Sequence, residues 1–277
     1  MIKFLMSLFL LLLNCPQILS AELKISDLSG EHKKSTADLL KFKDLKKVTL
    51  NPDPVYSKTM IYKAVPLKSL LSPYKTSVLS FVEIKALDGF AAVFPLSRLI
   101  ENKKAEAYLA IEETQSPWPK IKRKKQSAGP FYLIWEKALD SDVLPEEWPF
   151  QIVSISIFDD LKSHYPKIYP HKELAHDHKV NRGFKVFLKN CFVCHTMNQD
   201  GASQMGPDLN LPMNPTEYLT DEIIVKLIRN SQDLRYWPKS QMSHFPPEVL
   251  SDSELKDLLA YLKHMADKKY PIEKKSN

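Results

Sequence analysis

The chain has 277 residues, 44% of them hydrophobic, and a formal net charge of +6. That length allows two domains at roughly 150 residues each, and the composition lets each build a core. The charge is too modest to argue for nucleic acid as a partner, and 20 prolines against 6 glycines speak for defined loops rather than flexible linkers.

The chain opens on a targeting pattern. Lys3 supplies a positive start, Phe4 to Leu13 is a short apolar run, and Ile18-Leu19-Ser20-Ala21 ends in small residues. Residues 1–21 are therefore expected as a signal peptide, cleaved after Ser20 or Ala21, and the protein is expected in the periplasm. The apolar run is short for a bilayer span. No later stretch suits a membrane helix, so no transmembrane segment is expected in the mature chain. Cys15 follows Asn14 rather than the small residue of a lipoprotein signal, and its lipidation stays open.

Residues 22–160 predict a mixed α/β domain. Lys33 to Phe42 suits a short helix starting at Ser35 or Thr36. Val48 to Leu50, Met60 to Val65, Tyr108 to Ile111, Phe131 to Glu136 and Phe150 to Ile157 suit strands. Pro66 and Pro95 each suit the opening of a short helix, the first running through Leu71, the second holding Leu96, Leu99 and Ile100. Val82 to Leu87 alternates, Asp88-Gly89 follows, and Phe90 to Phe94 is apolar again. An Asp-Gly pair between two such runs predicts a hairpin with a type I′ turn. Trp135 and Trp148 are expected in the core. The run Lys120 to Lys125 reads as a solvated loop, with docking to an acidic partner as the sharper reading.

This half resembles the molybdopterin-binding domain of sulfite-oxidase-type oxidoreductases. The resemblance rests on Tyr62-Lys63-Ala64-Val65-Pro66-Leu67, Asp88-Gly89-Phe90, Gly129-Pro130-Phe131-Tyr132-Leu133 and Trp148 before the last strand. That family binds molybdenum through a cysteine, and this region has none. The resemblance thus implies a fold without the metal ligand, and no molybdenum cofactor is expected. No glycine-rich phosphate loop, nucleophile elbow or metal-spaced histidine set is visible here.

Residues 161–179 are expected as a linker. Pro166 and Pro170 break regular structure. His164, His171, His176 and His178 read as solvated, since no carboxylate or cysteine recurs at ligand spacing.

Residues 180–277 predict an all-α domain. Val180, Phe184, Phe187 and Leu188 share a helical face that leads into Cys191. Thr220-Asp221-Glu222 opens a second helix with Ile223, Ile224, Leu227 and Ile228. Ser251 with Glu254 forms a capping box for a third, with Leu255, Leu258, Leu259 and Leu262 as its apolar stripe and Lys263, Lys268 and Lys269 at its C-terminal end.

The sharpest motif is Cys191-Phe192-Val193-Cys194-His195, the attachment pattern of a c-type haem. Two intervening residues let both thiols add to the haem vinyls from one helical turn, and the next residue offers the iron an imidazole. No second cysteine pair completes a zinc site; a dithiol redox pair remains the rival. Export agrees with the haem reading, because bacteria attach haem c outside the cytoplasmic membrane.

Together these features resemble a class I cytochrome c. Gly183 and Phe187 match the family's first-helix glycine and aromatic, and Leu259 and Tyr261 match the facing last helix. Gly206-Pro207-Asp208-Leu209 matches the loop whose proline carbonyl, that of Pro207, receives the proximal histidine's Nδ1–H. The resemblance implies His195 as proximal ligand and a methionine opposite. Met197 follows His195 too closely to cross the haem, Met205 precedes the histidine-side loop, Met213 comes soon after it, and Met265 ends the last helix. Met242, in a proline-flanked loop between two helices, is the expected distal ligand, with His244 as rival. Ser243 stands where the family usually has proline.

The function expected is one-electron transfer through one covalent haem c, with the first domain as a docking module. Redox proteins, such as a dehydrogenase or a membrane electron-transport complex, are the expected partners. The alternative is an oxidoreductase whose first domain oxidises a substrate and passes electrons to the haem. Iron alone on metal analysis favours the first, stoichiometric molybdenum the second.

Overall fold

The structure is a computed structural model that describes residues 21–74, 80–122, 124–138, 141–203, 205–238, 240 and 242–272. Apart from Ala21, the expected signal peptide, Cys15 included, lies outside the described residues. In chain order the first half comprises β1 (Glu22–Asp27), β2 (Gly30–Ser35), α1 (Thr36–Leu39), β3 (Lys46–Leu50), β4 (Met60–Pro66), α2 (Leu67–Leu71), β5 (Phe81–Ala86), β6 (Ala91–Pro95), α3 (Leu96–Ile100), β7 (Glu106–Ile111), β8 (Phe131–Glu136) and β9 (Ile152–Phe158). Two sheets result, one ordered β2-β1-β9-β5-β6 and the other β3-β4-β7-β8.

The period-two alternation of strand side chains decides how the sheets pack. Phe131, Leu133 and Trp135 of β8 face a core shared with Leu23, Ile25, Val82, Ile84 and Ile155 of the other sheet, roofed by Leu67, Leu70, Leu96 and Leu99. Their neighbours Tyr132 and Ile134 face a second cluster with Val48, Tyr62 and Tyr108. Strand β8 is thus buried on both sides, which explains its uninterrupted apolar run. The sheet of β1 closes through the parallel pairing of β1 with β9, Ile25 opposite Ile155, so both ends of this half lie side by side.

Two expectations need correction. The helix predicted over 33–42 is only one turn, Thr36–Leu39, capped by Ser35. Lys33 and Lys34 instead belong to β2, paired in full register with β1 from Glu22↔Ser35 to Asp27↔Gly30. An edge strand needs no apolar face, and lysines on an edge discourage further pairing. The hairpin at Asp88-Gly89 exists, but its turn is not type I′. Only Gly89 has positive φ, at 92°, and its N–H donates to Ala86 O across a three-residue loop. This is the turn-plus-bulge connection in which glycine alone takes the left-handed position.

The helical half comprises α4 (Leu161–His164), α5 (Lys179–Asn190), α6 (Pro215–Tyr218), α7 (Asp221–Arg229), α8 (Ser231–Leu234) and α9 (Asp252–Ala266). The capping box of α9 is in place, with Ser251 Oγ accepting from Glu254 N–H and the Glu254 carboxylate accepting from Ser251 N–H. Segment 161–179 contributes to the helical core: Tyr165 and fully buried Ile168 pack with Phe184, Phe187 and Leu258. His164 stacks on Phe158 at 4.1 Å between centroids, and His171 meets His264 at 4.8 Å. Among the described residues no group of three or more His, Cys, Asp or Glu side chains is gathered as a metal site, and no helix is long and apolar enough to cross a membrane.

Candidate haem site

The site is built on the crossing of α5 and α9. Gly183 lies at the crossing, where a Cβ would overlap the carbonyl of Asp257 and approach Tyr261 Cβ to 2.8 Å. One turn on, the Phe187 and Tyr261 rings pack at 5.2 Å between centroids, and Tyr261 Oη donates to Ile168 O at 2.7 Å. Arg182 clamps the same crossing from outside through both carboxylate oxygens of Asp257. Close backbone approach is what a glycine permits and any larger residue forbids.

Helix α5 runs directly into the cysteine motif. Cys191 N–H donates to Phe187 O, and both Cys194 N–H and His195 N–H donate back to Cys191 O. One tight turn therefore carries both thiols and the imidazole. The two cysteines are half-buried and unpaired. Burial pushes the Cys191 thiol up to about 12 and the Cys194 thiol to about 11, the opposite of the lowered thiol that disulfide-exchange sites use.

His195 Nδ1–H donates to Pro207 O at 2.7 Å, which leaves Nε2 free as a ligand atom. Burial lowers the His195 pKa, opposed by the Pro207 carbonyl and the Asp208 charge, which favours the neutral, coordinating form. Gly206 makes this possible, since a Cβ there would overlap the His195 ring, and its N–H donates to Cys194 O at 2.8 Å.

Behind this loop stands a polar network that the sequence reading missed. The Asp208 carboxylate accepts from Thr196 Oγ1 at 2.8 Å and from the backbone N–H groups of Asn198, Gln199, Asn210 and Leu211. Buried Asn210 and Asn214 donate to Met265 O and Leu262 O, and Asn198 to Lys167 O and Lys268 O. These bonds tie the Gly-Pro loop to the end of α9. Asp208 was visible in the loop motif, but nothing local signals that the three asparagines converge.

Of the methionines, Met197 and Met265 are fully buried in the helical core, and Met213 is 51% exposed. Met205 Sδ lies 3.9 Å from Cys194 Sγ, on the cysteine side. Met242 is half-buried against the helical core, on the strap between α8 and α9, with His244 exposed. Arg229, also unforeseen, holds that strap: Nη1 donates to Phe245 O at 2.6 Å and Leu250 O at 2.5 Å, and Nη2 to Asp252 at 2.6 Å. Phe245 N–H in turn donates to Ile228 O at 3.3 Å.

The residues present fit a haem c. Two thiols on one turn suit the vinyls, and a histidine locked at Nδ1 presents Nε2. The comparisons agree. Residues 180–266 match the cytochrome c family. No curated protein matches the chain. Residues 180–266 are a cytochrome c domain, a unit for haem-based electron transfer with haem c as its cofactor.

Proposed function

We propose that this protein is an exported cytochrome that carries single electrons on one covalent haem c, held by Cys191 and Cys194 and ligated by His195 and Met242. The observation that carries the reading is the His195–Pro207 hydrogen bond of 2.7 Å, one turn from both cysteines. It orients the imidazole and fixes its tautomer, so that Nε2 is the atom offered to the iron. Met242 is favoured because the other methionines are committed to the core, exposed, or beside the cysteines. When bound, the haem supplies a ferric/ferrous couple, which a thioether ligand shifts toward the reduced form.

The chain's own residues do the rest. Pro207 and Gly206 hold the proximal ring. Asp208 and the asparagine network stiffen the loop around it. Arg229 fastens the strap of Met242. With His195 and Met242 both as ligands, the protein would leave no place for substrate on the iron, which suits a carrier rather than an oxidase. The two-sheet first half serves in this reading as the module that engages redox partners. Its resemblance to the molybdopterin-binding fold is a proposal about architecture, without the cysteine that would hold the metal.

Methionine ligation of ferric iron gives a weak far-red absorption band. Met242→Ala should abolish it, lower the reduction potential and open the iron to cyanide. Survival of the band in Met242→Ala, with loss in His244→Ala or in another methionine variant, would reassign the ligand.

A further inference from the structure

The cysteine motif does not face solvent alone. The tip of the β5–β6 hairpin lies on it. Ala91 N–H, at the start of β6, donates to Val193 O at 3.1 Å. Ser203 Oγ donates to Gly89 O at 2.9 Å. Val193 is buried in the core of the two-sheet half, and Cys194, Phe90, Val143 and Trp148 pack on the same cluster. Asp88 at the hairpin tip and Glu146 in the turn before β9 lie near enough to act electrostatically on Cys194.

Farther along the same sheet, Tyr165 Oη donates to the buried carboxylate of Glu83 on β5, and the Tyr165 ring meets Phe192 edge-on at 5.2 Å. Both residues between the two cysteines are therefore committed, Val193 to the sheet sandwich and Phe192 to the connector that leaves β9.

A thioether joins each cysteine sulfur to a vinyl carbon on the rim of the porphyrin. Whatever packs on Cys194 therefore packs at that rim. We propose that the β5–β6 hairpin is a built-in cap on the thioether edge of the haem, so that an external redox partner reaches the group from another side of the cytochrome domain. The partner of this edge is the chain's own first half. One backbone–backbone hydrogen bond, one bond from a serine hydroxyl to a backbone carbonyl and a shared apolar cluster hold the cap, so the cover is a standing part of the fold.

This rests on covalent haem at Cys191 and Cys194, and the test separates the two. In the full-length holoprotein, amide NMR spectra of the ferrous and ferric forms are compared. Paramagnetic ferric iron shifts or broadens signals near the haem. The expected result is that Asp88 to Ala91 change together with Phe192 to Thr196, while the distant edge strand β2 does not. Changes in 192–196 with none in 88–91 would overturn the cap and leave the haem reading standing; no change in either would overturn the haem reading itself. As a second readout, reduction of the ferric protein by photogenerated free flavin semiquinone should be several-fold faster in Phe90→Ala than in wild type. An unchanged rate, with the ferrous protein's far-ultraviolet spectrum intact, would show that the hairpin does not close that edge.

Discussion

Gly183 sits against the backbone carbonyl of Asp257 so closely that a single added carbon would occupy the oxygen's place. A backbone atom in the middle of α9 cannot swing aside as a side chain would. Gly183→Leu should therefore force α5 and α9 apart, at a cost on the order of 1–3 kcal/mol or more. Denaturant unfolding followed by haem absorbance checks this, and a neutral substitution would refute the packing.

Arg229 should control how firmly the Met242 strap is held. It is the donor to two strap carbonyls and to Asp252, and a charged donor of this kind contributes on the order of 1.5–3 kcal/mol. Arg229→Met keeps the apolar stem but removes the donors. The expected outcome is a weaker far-red band and easier cyanide binding, in an otherwise folded protein. A band of full strength would mean that the strap stands without it.

Gly206 and His195 form a second close approach. Gly206→Ala should push the imidazole off its position over Pro207 O, which broadens the Soret band and lowers haem retention on mild denaturation. A spectrum identical to wild type would contradict the crowding.

Stability should also depend on pH through Glu83. Burial raises its carboxyl pKa, against the lowering effects of the Tyr165 hydroxyl, His164 and Lys85. The folded state thus holds this proton more tightly than the unfolded chain does. The stability it contributes is complete below the ordinary carboxylate pKa and is lost as pH rises through the raised one. Glu83→Gln keeps an acceptor for Tyr165 Oη and has no charge to bury. Its melting temperature should exceed that of wild type at neutral pH, with the gap closing in acid. A gap constant with pH would contradict the direction.

The parts of this molecule readable from sequence are those decided locally. The Ser251–Glu254 capping box, the apolar stripe of α9 and the alternation of β5 depend on spacings within a few residues. Gly183 was readable only through the resemblance to cytochrome c, in which a first-helix glycine and aromatic, here Gly183 and Phe187, face the last helix. The polar edge strand β2 was not, because its pairing with β1 comes from a partner and not from its own pattern. The asparagine network stayed hidden for a related reason: Asn198, Asn210 and Asn214 bond to backbone carbonyls of residues far along the chain. Val193 looked like a spacer between two cysteines, while in the fold it is a core residue of the other half.

The most direct measurement is denaturing electrophoresis of the purified protein, stained for haem peroxidase activity, beside Cys191→Ala/Cys194→Ala. Haem that stays with the wild-type polypeptide and is absent from the double variant is the expected result. Haem lost from the wild type on denaturation would contradict covalent attachment at this turn.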